Sequence, residues 1–403
     1  MSSDTLLVVN AGSSSLKFHL YRLNEDHTGD DNELEFWFGG QVSGIGSSAP
    51  HAKVRDAQGV VMLDQALSAD QVPTLKHAQE LLTQWVRSQL TKPPVAVGHR
   101  IVHGGSALNQ SVVIDDDVLN YLEELAPLAP LHQHNNLSPV YVIRDRWPQM
   151  LQVACVDTAF HRTQPDLISY YALPLRFHEQ GVKRYGFHGL SYQYISEYLA
   201  QDYPELHQGR VIVAHLGSGA SACIMVNGES RESTMGFTAL DGLPMATRPG
   251  HLDAGVVLWW LQQQKMTADE LQDVLYNQSG LRGLSGFSGD MRELLASDQE
   301  RAKLAINYYT YRVAEGLAGL CIAAQGVDAI VFTAGVGEHS PEIRAGILQH
   351  LSWLGIEVDT LRNQANDTRI TTDQSRVSAW VMPTNEELVI ARETLKHYQL
   401  HTV

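Results

Sequence analysis

The sequence predicts an α/β protein built from two core-forming domains, and three observations carry that expectation. Strand-like β-branched runs alternate with helix-like stretches along the chain. At 403 residues and 44% hydrophobic content the chain outgrows a single core. The segment 6–21 also has an echo at 211–226, about half the chain later.

The strand-like runs fall at 6–9, 95–102, 151–156, 211–214 and 329–333, and the helix-like stretches lie near 75–90, 115–125, 190–202, 300–324 and 385–398. Residues 24–60 are polar, acidic and Gly-rich with weak periodicity, so they are expected to form long loops or hairpin edges rather than a linker. The echo lays LLVVNAGSSSLKFHLY on VIVAHLGSGASACIMV, matching Gly12 to Gly217 and Ser13 to Ser218. Both read as strand, Gly/Ser turn, strand, the pattern a duplicated phosphate-binding fold would show; chance likeness of two hairpins is the alternative.

Composition narrows the function. Lys and Arg number 29 against 45 acidic residues, a formal charge of -16 that repels nucleic acid and anionic membranes. An acidic protein that handles anions must gather its few cations locally, which makes individual arginines informative. Cys155, Cys223 and Cys321 are widely spaced in apolar runs, as reduced thiols are. The N-terminus enters a short apolar strand without the basic flank and long apolar core of a signal peptide, and no run approaches the roughly 20 apolar residues of a membrane helix, so a cytoplasmic location is expected.

The chemistry-bearing motifs run the length of the chain. In VVNAGSSSLKF (8–18), small residues let backbone N–H groups approach an anion, Asn10 offers an amide oxygen and Lys17 a charge; an ordinary polar turn is the alternative. GHRIVHGG (98–105) sets Arg100 between an apolar strand and paired glycines, where its fork suits a carboxylate or phosphate, or solvent. In LAPLAPLHQHNNL (125–137) His132 precedes a helix without cysteine or HExxH company, so it serves an anionic substrate or a structural hydrogen bond rather than a metal. VACVDTAFH (153–161) ends a strand in Asp157, which needs a compensating cation if buried, or else caps the start of a helix. YGFHGLS (185–191), HLGSGAS (215–221) and TAGVGEHS (333–340) add three glycine turns, more phosphate cradles than ordinary loop chemistry assembles. MATRPGHLD (245–253) offers Arg248, SGDMR (288–292) offers Asp290 and Arg292, and PTNEELVIAR (383–392) places Glu386 and Glu387 at the favourable end of a helix dipole.

In this order the motifs resemble the acetokinase family, within the superfamily of acetate and sugar kinases, Hsp70 and actin, almost from end to end. The resemblance implies two actin-like, ribonuclease H-like domains with an interdomain active-site cleft: residues 1–151 with 385–403, and a nucleotide-binding domain at 152–384. It implies Mg²⁺, replaceable by Mn²⁺, held by Asn10 and Glu386, with Lys17 near the phosphates of ATP or ADP. Arg100 and Arg248 would bracket the acyl and transferring phosphoryl groups, His188 and His132 would act in the same pocket, and Asp157 would be the essential acid. Val102, Leu131 and Phe187 would line the acyl pocket. Nucleotide would lie along His215, Leu216, Gly217, Ser218 and Gly219, along Asp290, Met291 and Arg292, and along Gly335, Val336, Gly337, Glu338 and His339. A homodimer is implied as well.

A carboxylate nucleophile is already ionised near neutral pH, so Asp157 is expected to position metal or water rather than act as a base. The chain departs from the family pattern at Ser218, Ala246 and His339, all on the nucleotide side, and Ala239 stands where a proline often closes the acyl pocket. The expected reaction is reversible phosphoryl transfer from ATP to acetate; the rivals are a propionate kinase, a pyrophosphate-dependent acetate kinase and an actin- or Hsp70-like scaffold without phosphotransfer.

Overall fold

The computed structural model describes residues 4–12, 15–24, 33–129 and 132–402. Its strands are β1 (Thr5–Ala11), β2 (Ser15–Leu23), β3 (Leu34–Ser43), β4 (His51–Asp56), β5 (Val61–Ala66), β6 (Ala96–Ile101), β7 (Val112–Val113), β8 (Leu151–Val156), β9 (Arg210–Leu216), β10 (Ala220–Val226), β11 (Glu229–Ser233), β12 (Ala329–Thr333) and β13 (Ser378–Val381). They form an eight-stranded sheet, β5-β4-β3-β2-β1-β6-β8-β7, and a five-stranded sheet, β11-β10-β9-β12-β13. The chain separates into two compact units, Met1–Ala159 with Asn385–Val403, and Phe160–Thr384, each holding one sheet.

In the first unit β1 runs antiparallel to β2 and parallel to β6, and β6 runs parallel to β8. The central strands are apolar along their length because both faces are covered. The helix Leu75–Gln89 adds Leu75, Ala78, Leu82 and Val86 to a core with Val9, Phe18, Leu20 and Val97. The C-terminal helix Glu386–Thr402 lies against β6 because residue 98 is glycine: a Cβ there would stand 2.1 Å from Thr394 Oγ1 and 2.6 Å from Ile390 Cγ2. That close approach brings Glu386 and Glu387 to the sheet. The polar stretch expected as loops or hairpin edges supplies β3 and β4, and the largely exposed β5 closes the edge.

In the second unit β9 is antiparallel to β10 and parallel to β12, and β12 is parallel to β13. The helix Gly189–Asp202 packs Tyr192, Ile195 and Leu199 on Val211, Val213 and Val331. The 25-residue helix Glu300–Ala324 buries Ala305, Tyr309, Val313 and Leu317. The echo has a structural counterpart, since each sheet is a hairpin followed by two parallel strands. The hairpins differ at the turn: Ala11 pairs with Leu16 in the first, Leu216 with Ala220 in the second. The ungapped overlay of the sequences therefore slips by one residue after the glycine. Among the described residues no helix is long and apolar enough to cross a membrane.

Candidate functional site

The ends of β1, β6 and β8 and the start of the C-terminal helix bring charged groups together in the first unit. Arg100 donates through Nη2 to Asp157 Oδ2 at 2.7 Å and through Nε to Asp157 Oδ2 and Oδ1 at 3.2 and 3.3 Å. Glu386 stands 3.8 Å from the same Nε. Asn10 accepts from Arg100 Nη1 at 3.4 Å and donates to Glu387 Oε1 at 3.2 Å. Lys17 faces Asn10 across the hairpin. Burial alone would lower the Arg100 guanidinium, but Asp157, Glu386 and Glu387 outweigh it and hold it above its ordinary value. Burial works against the Glu387 carboxylate too, yet Lys17, His19 and the Asn10 hydrogen bond keep its pKa below the usual carboxylate range. Glu387 is thus the companion of Glu386 that sequence reasoning left as a helix-capping residue.

Asp157 is 1% exposed and accepts from Arg100, a cation that compensates its burial. Val102 is buried two residues beyond Arg100, where its N–H donates to Asn136 Oδ1 at 2.9 Å, and Asn136 Nδ2 donates to Ala11 O at 2.6 Å. His132 heads the helix Gln133–Arg146 that carries Asn136. The sequence singled out His132 and passed over Asn136, although an asparagine pair at a polar helix start was visible. Leu131 lies outside the described residues, as does Ser13.

In the second unit His188 takes a left-handed backbone, φ 57°, at the N-cap of the helix Gly189–Asp202. Its ring stacks on His215 at 4.3 Å, its Nδ1 meets Ser221 Oγ at 2.7 Å, and His215 Nδ1 meets Ser191 Oγ at 2.8 Å. Two imidazoles at adjacent positions are thereby held in orientation by hydroxyl groups. Gly219 explains the convergence with Arg248: a Cβ there would stand 2.8 Å from Arg248 Nη2 and 3.3 Å from His188 Nε2. Arg248 Nη1 donates to Ala239 O at 2.7 Å. It has no ion-pair partner among the described residues, and burial pushes its guanidinium down to about 10 against the weak pull of Tyr276. A largely desolvated cation without a counter-ion is one that an anionic ligand would relieve.

The glycine turns surround this point. Ala246 N donates to Ser218 O at 3.0 Å, and a Cβ on Gly289 would meet Ala246 O at 2.6 Å, so the segment before Asp290 abuts the hairpin turn. A Cβ on Gly217 would lie 3.7 Å from the Ala334 Cβ, which opens the short helix Ala334–His339 at the end of β12. Not every expected nucleotide residue offers its side chain. Leu216 is 0% and Met291 3% exposed, both packed in the core, so only their backbone groups can face a ligand. Arg292 is bound to Asp290 at 2.5 Å and otherwise points to solvent, and the His339 side chain is exposed. Phe187 is buried and its carbonyl meets His161 Nε2 at 2.9 Å. A residue with no sequence signal, Arg344, is 0% exposed and donates to Gly337 O, Glu338 O, Asn363 and Asn366, tying down the end of Ala334–His339.

Residues 5–392 match the model of the acetokinase family. An acetate kinase of Nitrobacter hamburgensis is 48% identical over 392 residues, covering 97% of this chain and 96% of the relative. Among solved structures, a propionate kinase from Francisella tularensis superposes with a TM-score of 0.87 at 35% identity, and an acetate kinase from Porphyromonas gingivalis with 0.82 at 33%; each covers 98% of this chain and 99% of the other. With the family model spanning nearly every described motif and relatives matched along their whole length, the chain belongs to the acetokinase family.

Proposed function

We propose that the chain is an acetate kinase, transferring the γ-phosphoryl group of ATP directly and reversibly to acetate to give acetyl phosphate and ADP. The observation that carries this reading is the uncompensated Arg248 guanidinium beside the oriented His188 over the backbone of Gly219. In this reading an acetate oxygen attacks the γ-phosphorus as its bond to the bridging oxygen of ADP breaks. Arg248 and His188 donate to the equatorial oxygens as negative charge spreads over them. Arg100, held by Asp157, orients the acetate carboxylate, so Asp157 positions a cation and moves no proton. The backbone groups of Gly217–Gly219 and Gly335–Gly337 would receive the nucleotide phosphates. Val102, Leu131 and Phe187 would hold the methyl group, with His132 assisting.

The donor set suits a divalent ion. Asp157 takes the short bonds of Arg100, so Glu386 and Glu387 leave that cluster with more negative than positive charge, and Asn10 Oδ1 is engaged only at 3.4 Å. Mg²⁺ in phosphoryl-transfer sites is held by one or two protein oxygen ligands together with phosphate and water, a demand these two residues can meet for Mg²⁺ or Mn²⁺. Mg²⁺ on Asn10 and Glu386 would supply charge neutralisation at the phosphates.

Three free thiols support a reducing, cytoplasmic setting. A homodimer is supported by the helix Ala254–Gln262, AGVVLWWLQ, none of whose residues is buried in the single chain. The likeness to a propionate kinase favours one second reading, in which Ala239 leaves room for a longer acyl group. Since one methylene is worth about 1–3 kcal/mol, both acids should react. Hydroxamate trapping of the acyl phosphate, with ATP or pyrophosphate and acetate or propionate, tests these readings. Product from ATP and acetate is expected, with at least about a hundredfold loss in Arg248→Ala. Absence of product from ATP with either acid refutes the kinase, and undiminished product in the variant refutes the site.

A further inference from the structure

The first unit contains a pocket of about 270 Å³, open to solvent on one side, between β1, β2, β6 and the helices Leu75–Gln89 and Gln133–Arg146. Its walls are apolar, with Leu7, Val9, Phe18, Val86, Ile143 and Trp147 the principal surfaces. Gln79, one of the few polar groups lining it, is already paired with Ser138 at 3.0 Å. Apolar walls that stay uncovered by protein forgo the hydrophobic gain that an apolar occupant would supply. A dry cavity of about 150 Å³ with similar walls takes up benzene, so this one has room for a hydrocarbon tail of roughly eight carbons.

Its opening to solvent has a definite charge. Arg87, in the last turn of Leu75–Gln89, and Lys92 both line it, and none of the lining residues is acidic. Lys92 reaches Asp4 at 2.5 Å, whereas Arg87 has no acidic partner among the described residues. In a chain of formal charge -16, the unpaired Arg87, with Lys92 shared with Asp4 beside it, over apolar walls that carry no acidic residue selects for a ligand that is apolar at one end and anionic at the other. From this we infer that the cavity is a binding site for a linear medium-chain monocarboxylate, its tail between the sheet and the two helices and its carboxylate at Arg87 and Lys92. The site is separate from the acyl pocket of the proposed reaction, and its binding is independent of whether that reaction occurs. An occupant would be felt at Asn10, because Val9 precedes it on β1, and Ile143 shares its helix with Asn136, which holds the β1 end.

Isothermal titration of the whole protein with octanoate tests this, with octanol and acetate as comparison ligands. Octanoate should bind at one site per chain. Its affinity should fall about tenfold or more in R87Q/K92Q while octanol is unaffected, and Val86→Phe, which fills the chamber, should remove both. A lack of saturable octanoate binding overturns the inference. So does octanoate binding that survives R87Q/K92Q and Val86→Phe alike and is displaced by acetate, because that would place the ligand in the acyl pocket.

Discussion

Asp157→Asn separates a positioning role from a proton-transfer role. The carboxylate is 1% exposed and receives three donations from Arg100, so the substitution removes the charge that compensates a desolvated guanidinium. Breaking a buried pair by removing one partner costs about 3–5 kcal/mol. Here an amide oxygen remains as acceptor and Glu386 stays 3.8 Å away, which puts the expected loss of stability near the lower end, about 3 kcal/mol. The rate follows from aim: in the proposed reaction Arg100 would no longer be fixed, and loss of one preorganised donor lowers kcat by about 10²-fold, or about 2.7 kcal/mol. Because an arginine guanidinium stays cationic throughout this range, the loss should be the same from about pH 6 to 9. Hydroxamate-coupled kinetics on Asp157→Asn, Arg100→Ala and the double variant supply the test, with urea unfolding beside them. If Asp157 works through Arg100, the double variant should be scarcely slower than Arg100→Ala. Fully multiplicative losses, or a pH limb that vanishes with Asp157, would refute the reasoning.

Three further outcomes are expected. Gly219→Ala drives a methyl group against Arg248 Nη2 and His188 Nε2, so kcat should drop by about 10²-fold, while thermal unfolding, which depends little on two movable side-chain ends, should shift only slightly. Burial pushes His99 and His161 down to about 4, so the unfolded chain binds their protons first; stability is whole above about pH 6.5 and falls as pH drops toward 4, by up to about 3 kcal/mol per histidine. Urea unfolding across that window should show a shallower fall in His161→Gln, and an unchanged slope would contradict the assignment. Trp259→Glu places a charge on the exposed apolar helix, so light scattering should find two chains in the parent protein and one in the variant, with a monomeric parent disproving the dimer.

Strand and helix positions were legible because burial on both faces of a sheet leaves long β-branched runs, as in RVIVAHL and AIVFT, and because turns such as GSGAS declare themselves through glycine. Candidate cations were legible for a related reason: in an acidic chain Arg100 and Arg248 stand out beside glycines. Partners were not legible. Nothing in the local sequence of Asp157 tells that its carboxylate faces Arg100, 57 positions earlier, or that Glu387 rather than solvent takes the amide of Asn10. Arg344 was invisible because its acceptors are backbone carbonyls and asparagines, which any surface loop also contains. Side-chain direction was lost too: Leu216 and Met291 sit in phosphate-like motifs yet point into the core, since alternate residues of a strand and the inner face of a helix turn must go there.

The one-residue difference between the two hairpins shows how a repeated scaffold acquires unlike chemistry. Overlaid without a gap, Lys17 corresponds to Ala222, an alignment that leaves the second half with no functional group at that place. In the observed register Asn10 faces Lys17 and His215 faces Ser221. The structural counterpart of the lysine is therefore a hydroxyl, and that hydroxyl holds His188 Nδ1 at 2.7 Å. Ala11 pairs with Leu16 in the first hairpin and Leu216 with Ala220 in the second, so the second strand of the latter presents its paired side chains one position earlier. The first hairpin thus supplies a charge on a flexible stem directly, while the second supplies a hydroxyl that fixes an imidazole contributed by another element.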